Sequence, residues 1–339
     1  MAHTRDAIIT KAWYEGALWL YLLWPLSLIY HLIIVVRQFL YHRGLLKIHH
    51  VTVPVVVVGN ITVGGTGKSP LVCHLIEALR EKGFNPGIVS RGYGARLDKY
   101  QVREVLSNSL PSEVGDEPLM LKKKLNCRIF VSPSRALAAK TLEKAGCDII
   151  ISDDGLQHYA LHRDIEICVF DGQRKWGNGH LLPMGPLREP LSRLKSIPYL
   201  VVNGASNARS YGQSSLNQKA FNMTLHAESL INISSEETKP LADFSNERVH
   251  AVAAIGHPER FFTTLNDAGI KLEIHAFGDH HAYQESDFQF DQTRPIIMTE
   301  KDAVKCELFE LKDTWFLPVS AKLNGDLAEQ IIKDVGLER

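Results

Sequence analysis

A chain of 339 residues, 45% of them apolar, is long enough for two domains and can bury a substantial core. Its 38 Lys+Arg balance 38 Asp+Glu, so the formal net charge is +0, which is not the signature of a nucleic-acid binder. The cysteines Cys73, Cys127, Cys147, Cys168 and Cys306 form no CxxC pair and fit no zinc spacing; scattered in this way they suggest a reducing compartment and small core hydrophobes.

The first predicted element is apolar. Residues 16–36, GALWLYLLWPLSLIYHLIIVV, carry no formal charge. As a helix they would cross about 30 Å of hydrocarbon. Pro25 and His31 argue against a straight, uniformly apolar span, and Trp13, Tyr14, Trp19, Tyr21, Trp24 and Tyr30 supply interfacial aromatics. A signal peptide would have a shorter apolar core and a small-residue cleavage site, and neither is evident before Arg37. Residues 1–46 therefore read as a membrane-associated helical segment, either spanning the bilayer or lying in one leaflet. The alternative is an amphipathic helix packed on the core. Arg37, Arg43 and Lys47 after the segment exceed Arg5 and Lys11 before it, which places the body on the cytoplasmic side.

Residues 53–58 are a β-branched run, broken by Pro54, that leads into GNITVGGTGKSP and an amphipathic stretch over 71–82. This predicts strand, Gly-rich loop and helix. Further apolar runs at 87–90, 128–131, 148–152, 166–170 and 199–203 alternate with helical patterns such as 135–145. The expected fold class is α/β: a P-loop NTPase-type, mostly parallel sheet with helices on both faces. The core is expected over 47–203. Residues 204–240, rich in Ser, Asn and Gln, read as a polar junction with some extended structure. Strand-like runs at 249–255, 270–277, 295–298 and 314–319 then predict a smaller C-terminal α/β domain over 241–339.

Ligands of open α/β sheets bind beyond the carboxyl ends of the strands. There the sequence places GGTGKS, SRGYG, SDDGLQH, the DG after 169–170, and MTEKD. In the first loop, from Thr62 through Thr66, glycines Gly64, Gly65 and Gly67 let backbone N–H groups turn around phosphate oxygens. Lys68 can reach the β/γ-phosphates and the Ser69 hydroxyl can ligate Mg²⁺. Thr62 departs from the strict G-x-x-x-x-G-K-[ST] pattern. Asp153 and Asp154 stand where a P-loop acid meets Mg²⁺ directly or through water; a cap or turn pair is the plain alternative. Asp116 and Glu117 read, by themselves, as a turn before a helix. Arg91 and Arg188 meet either phosphates or surface carboxylates. His280 and His281 are in tandem and do not make a zinc site. Glu300 and Lys301, at the end of a strand, are further candidates, but TEKDA lacks the N-K-x-D that reads guanine, which argues against a GTPase.

Taken together, GNITVGGTGKSP (59–70), SRGYG (90–94), GDEP (115–118), SDDGLQH (152–158), GPLREP (185–190), GHPERFF (256–262), DHHAY (279–283) and MTEKDAVK (298–305) closely resemble the tetraacyldisaccharide 4′-kinases, the lipid A 4′-kinases. The family shares the departure at Thr62 and the N-terminal membrane-associated segment. The resemblance implies transfer of the γ-phosphoryl of ATP, with Mg²⁺, to the 4′-hydroxyl of a tetraacyl glucosamine disaccharide 1-phosphate, giving lipid IVA. The implied setting is the cytoplasmic face of the Gram-negative inner membrane. The implied partners are the lipid substrate and the membrane surface, with no nucleic acid and no obligate protein partner. By the same resemblance Asp116 is the catalytic aspartate and His280 its partner. Lys68 and Ser69 are phosphate and Mg²⁺ ligands, Asp153 and Asp154 form the acidic pair near the metal, and Glu189 is a glutamate at the magnesium. A non-enzymatic nucleotide-binding adaptor would leave these acids without a joint purpose.

Overall fold

The computed structural model of the protein describes residues 2–204, 218–291 and 293–337. In chain order the strands are β1 (Val55–Gly59), β2 (Pro86–Ser90), β3 (Arg103–Glu104), β4 (Arg128–Val131), β5 (Ile149–Asp153), β6 (Ile165–Asp171), β7 (Tyr199–Asn203) and β8 (Lys219–His226). They continue with β9 (Ser229–Asn232), β10 (Thr238–Pro240), β11 (Arg248–Ala253), β12 (Lys271–Ala276), β13 (Ile296–Thr299), β14 (Thr314–Leu317) and β15 (Ser320–Leu323). The helices are α1 (Ala2–Glu15), α2 (Trp24–His42), α3 (Lys68–Glu81), α4 (Pro111–Val114), α5 (Asp116–Leu125), α6 (Arg135–Lys144), α7 (Pro258–Asp267), α8 (Glu300–Cys306) and α9 (Leu327–Val335).

Two sheets result. The larger runs β15-β8-β7-β6-β1-β5-β2-β4-β3, parallel except for its antiparallel edges β15 and β3. Central strand β1, VVVVG, is buried throughout, as a parallel strand covered on both faces must be. Its pleat divides it: Val56 and Val58 join a core with α3, α5 and α9, while Val55 and Val57 join one with α6. Leu71, Val72, Leu75, Ile76 and Leu79 recur at helical spacing along α3 and all are buried against the sheet. The smaller sheet runs β10-β9-β14-β13-β11-β12, with α7 packed in one of its cores and residues of α8 in the other.

Strand pairing redraws the expected domain limits. β8 falls inside the stretch expected to be a polar junction, yet it extends the larger sheet beside β7, from Tyr199↔Lys219 to Asn203↔Met223. β15 pairs with β8, and Leu327, Ala328 and Ile331 of α9 enter the larger core. The chain therefore leaves the first unit after β8 and returns to it at β15, so 241–339 is not one unit. A polar, half-solvated strand near a sheet edge carries little apolar signal, and an amphipathic terminal helix does not declare which sheet it covers. Residues 205–217 of the expected junction lie outside the described residues.

At the N-terminus, residues 18–42 are long and apolar enough to cross a membrane, an 18-residue stretch within them having mean hydropathy 1.9. Pro25 sits in the first turn of α2, where a proline costs no hydrogen bond, so it does not kink the helix. One face of α2 is fastened to the body. Ser27 Oγ donates to Leu181 O (3.0 Å) and accepts from Met184 N (3.1 Å); Tyr30 Oη donates to Arg188 O (3.1 Å); Gln38 Nε2 donates to Tyr159 Oη (2.9 Å). Leu28, Ile29, Leu32, Ile33 and Val36 are exposed.

Candidate active site

The carboxyl ends of both sheets open into one cleft of about 1940 Å³, whose lining includes Gly65, Lys68, Asp116, Asp153, His280 and Lys301. Polar ties cross it. Arg260 of α7 reaches Asp171 at the end of β6 (Nη2 to Oδ2, 2.9 Å), and Lys124 of α5 reaches Glu300 (2.8 Å) and donates to Val319 O (2.9 Å). The turn after β11 presses on the Gly-rich loop so closely that a Cβ on Gly256 would lie 3.2 Å from Gly65 N.

That loop is held from behind. Buried Asn60 donates through Nδ2 to Gly64 O and Thr66 Oγ1, each at 3.3 Å, and Asn203 at the end of β7 donates to Thr66 O at 3.1 Å. Gly64 and Gly67 have φ of +104° and +93°, and a Cβ on Gly67 would come within 2.6 Å of Asn203 Nδ2. Only glycine satisfies both conditions at 67. Lys68 and Ser69 open α3 and line the cleft, at the electropositive end of a helix. Thr62 is buried in a bridge to Leu187 and does not line the cleft; its place is to fasten the loop.

The two aspartates after β5 have opposite surroundings. Asp154 Oδ1 lies 3.5 Å from Lys68 Nζ, and its carboxylate takes Arg188 Nη1 at 3.1 and 3.3 Å. Burial works against its charge, but Lys68 and Arg188 hold the carboxyl well below the usual range. Asp153 is buried and neither of its carboxylate oxygens has a hydrogen-bond partner. Burial, reinforced by the charges of Glu117 and Asp154, pushes it up to about 7. The buried Arg135 fixes the backbone here, donating to the carbonyls of Asp153 (3.0 Å) and Asp154 (2.8 Å). An orphaned buried carboxylate in a cleft that also holds the Ser69 hydroxyl fits a hard, oxygen-seeking cation such as Mg²⁺.

Asp116 opens α5 behind Gly115, whose φ is +90° and whose Cβ would lie 2.7 Å from Tyr93 O. The carboxylate is buried and faces His280 Nδ1 at 2.9 Å (Oδ2) and 3.1 Å (Oδ1). A carboxylate can only accept, so Nδ1 carries the proton and Nε2 is left as an acceptor for Lys301 Nζ, 3.3 Å away. Lys301 also faces Glu117 and Asp279 at 3.3 Å each, and Asp116 at 3.8 Å. Burial opposes the charge on Asp116, yet the His280 hydrogen bond and Lys301 bring its pKa below the ordinary value. For Lys301, burial is likewise outweighed, by Glu117, Asp116 and Asp279, and its pKa is raised. His281 turns away to Asp287 (2.9 Å), in keeping with His280 as the partner in the dyad.

The cleft therefore brings together Lys68, Ser69, Arg91, Asp116, Asp153, Asp154, Arg188, His280, Glu300 and Lys301. Glu189 is not among them. It is buried, and its carboxylate accepts from Gln157 Nε2 (3.0 Å), Gln38 Nε2 (3.1 Å) and the Tyr159 hydroxyl. A carboxylate satisfied by three donors does not face the cleft, an arrangement that differs from the expected place of Glu189 at the magnesium. Since Gln157 Nε2 also donates to Asn60 O at 3.0 Å, Glu189 links α2 to the back of the phosphate loop. Asn60, Arg135, Gln157 and Asn203 escape a reading of the sequence; a lone amide or a lone Arg carries no motif.

Comparison with known proteins decides the family. The sequence profile of "Tetraacyldisaccharide-1-P 4'-kinase" matches residues 19–336. The chain belongs to the tetraacyldisaccharide-1-P 4′-kinase family. It is 44% identical over 335 residues to the tetraacyldisaccharide 4′-kinase of Methylobacillus flagellatus, covering 98% of this chain and 97% of that protein. It is 44% identical to that of Aeromonas salmonicida, covering 96% of each. Among solved structures it is similar to LpxK from Aquifex aeolicus in complex with ATP, with TM-score 0.76, 30% identity, and 94% of this chain and 98% of that one covered.

Proposed function

We propose that this kinase transfers the γ-phosphoryl of ATP to the 4′-hydroxyl of a tetraacyl glucosamine disaccharide 1-phosphate, yielding lipid IVA. The observation that carries the residue assignment is the buried Asp116–His280 pair, facing the same cleft as the Gly-rich loop and Lys68. The Aquifex relative is described in complex with ATP, and the glycines of the loop with Lys68 and Ser69 at the start of α3 support phosphate binding here.

Phosphoryl transfer asks for positioning and charge neutralisation more than for covalent chemistry. The loop amides and Lys68 hold the phosphates and offset charge on the transferring group. Asp153 and Ser69 would hold Mg²⁺, which supplies charge neutralisation between the phosphates when bound. Asp154, locked by Lys68 and Arg188, sets the position of that lysine. Asp116 accepts the proton of the sugar hydroxyl. Its low pKa makes it a weak base, which suffices when a loose transition state asks for little deprotonation until late. His280 and Lys301 keep Asp116 ionised and aimed.

The membrane is met sideways. The anchors at Ser27, Tyr30 and Gln38 are spread over 11 residues, roughly 16 Å of helix. A spanning α2 would drag the 181–189 segment into hydrocarbon, so α2 lies in one leaflet with Leu28, Leu32 and Ile33 toward the lipid. Arg37, Arg43 and Lys47, at and beyond the end of α2, suit the anionic lipid surface of the cytoplasmic face of the inner membrane. An enzyme held there meets a four-chain lipid without extracting it.

The test is transfer of labelled γ-phosphate from Mg²⁺/ATP to the disaccharide lipid in detergent micelles. Label at the 4′ position is expected, lost in Lys68→Ala. In Asp116→Ala, turnover should fall about 10²–10⁴-fold while ATP still binds. Near-normal turnover in the Asp116 variant would remove it from the base role.

A further inference from the structure

A second cluster of metal-ligating side chains lies on the smaller sheet, away from the cleft. In the parallel pairing of β11 and β12, His250 is opposite Glu273 and Val252 is opposite His275. Residues two apart on a strand share a face, so Glu273 and His275 stand together over β12 with His250 beside them. One ligand atom from each of these three residues lies within 4.8 Å of the other two.

The two imidazoles are already in place. His250 is buried, and its Nε2 lies 3.0 Å from Asp291 O. A carbonyl only accepts, so Nε2 carries the proton and the lone pair is on Nδ1, which accepts from His275 Nε2–H at 3.0 Å; a cation bound between the two rings would take the place of that shared proton, with His275 protonated at Nδ1 instead. This outer hydrogen bond to a carbonyl is the device by which ligating histidines are oriented. The Phe290 ring packs on both, with centroids 4.2 Å from His250 and 4.4 Å from His275. The Glu273 carboxylate stands beside both rings, its Oε2 3.8 Å from His250 Nδ1 and its Oε1 3.9 Å from His275 Nε2, with Arg294 Nη1 holding Oε2 at 3.0 Å. Tetrahedral zinc with bonds of 2.0–2.1 Å separates its ligand atoms by about 3.3 Å. One ligand atom per residue lies within 4.8 Å of the other two, so shifts of up to about 1.5 Å, the largest at the half-exposed Glu273 side chain, bring all three onto one face of that tetrahedron, leaving the fourth position to solvent.

We propose that His250, Glu273 and His275 form a binding site for a divalent transition-metal cation of the zinc class, separate from any Mg²⁺ at the nucleotide. Two imidazoles and one carboxylate suit zinc or cobalt; magnesium prefers oxygen donors and keeps its water. The ion would fasten the edge strand β12 to β11. The chain leaving β12 at Ala276 reaches Asp279 and His280 within four residues, so the site braces the strand that delivers the partner of Asp116.

The test uses the full chain in detergent micelles, stripped with chelator and titrated with Co²⁺ in excess Mg²⁺. The expected result is stoichiometric binding with the visible ligand-field absorption of a four-coordinate ion, displaced by Zn²⁺, together with a raised Tm. His275→Ala should weaken Co²⁺ binding by more than the roughly 10–100-fold that loss of an outer partner costs. Glu273→Gln should weaken it as well, with folding in both variants verified by ATP binding. Absence of Mg²⁺-resistant Co²⁺ binding by the folded parent, or binding that His275→Ala leaves unchanged, overturns the proposal.

Discussion

Lys301 offers the sharpest perturbation of the dyad. Its ammonium is nearly enclosed, 3.3 Å from the carboxylates of Glu117 and Asp279, 3.8 Å from Asp116 and 3.3 Å from His280 Nε2. Lys301→Met keeps the apolar stem and removes the charge. Unit charges about 4 Å apart interact by about 4 kcal/mol at an effective dielectric constant of about 20. Asp279 is 43% exposed and Glu117 33%, so solvent screens both; Asp116, at 6%, keeps the largest share. Removing one partner from a buried charge set costs about 3–5 kcal/mol, and a loss in that range is expected for the variant.

The same change moves a titration. With Lys301 and His280 in place, Asp116 has a pKa below 3.8. Its contribution to stability is therefore fully present above the unfolded value and is lost only as pH falls through the lower folded one. Without Lys301 the opposing effect of burial gains weight and the folded pKa rises. Asp116 then protonates at higher pH, and a protonated carboxyl cannot accept the hydroxyl proton. The acid limb of kcat/KM for phosphoryl transfer should shift to higher pH, with partial recovery of rate under alkaline conditions. Lys301→Arg, which keeps the charge, should keep the limb near its original place. The measurement is the pH profile of label transfer, with folding monitored by ATP binding. An unmoved acid limb in a folded Lys301→Met enzyme would refute the argument that Lys301 sets the ionisation of Asp116.

Two further outcomes follow from local geometry. Gly67→Ala forces a φ of +93° on a residue with a Cβ and drives that Cβ to 2.6 Å from Asn203 Nδ2. ATP affinity should drop about 5- to 150-fold, by roughly 1–3 kcal/mol of strain, as read by nucleotide titration, and unchanged affinity would mean that the loop relaxes at no cost. On α2, Leu32→Glu with Ile33→Glu removes two exposed apolar side chains, each worth about 1.5–3 kcal/mol when buried in lipid. The double variant should move from membranes to the soluble fraction in flotation while still binding ATP; continued flotation would shift the anchor elsewhere.

What a sequence can disclose depends on how far apart the participants lie. The phosphate loop is strand, glycines and helix in one short run of chain, and each part has its own local period or backbone demand, so residue order alone makes it legible. The alternation of buried strands with helices is legible for the same reason. Asp116 and His280 are 164 positions apart. Their meeting is produced by two sheets packing across a cleft, and residue types alone leave Asp116 as a turn acid until the family resemblance supplies its role. Asp153 and Asp154 are adjacent and identical in type, yet one is ion-paired and the other has no partner. Their difference comes from Lys68 and Arg188, both distant from Asp154 along the chain. Glu189 shows the limit most clearly. An acid in GPLREP reads the same whether it faces a cation or three donors. What decides it is Gln38, on a helix whose apolar composition speaks only of lipid. The polar stripe of α2, Ser27, Tyr30 and Gln38, is what turns a segment long enough to span a membrane into one that lies along the enzyme, and through Glu189 and Gln157 it also reaches the back of the loop where ATP would sit.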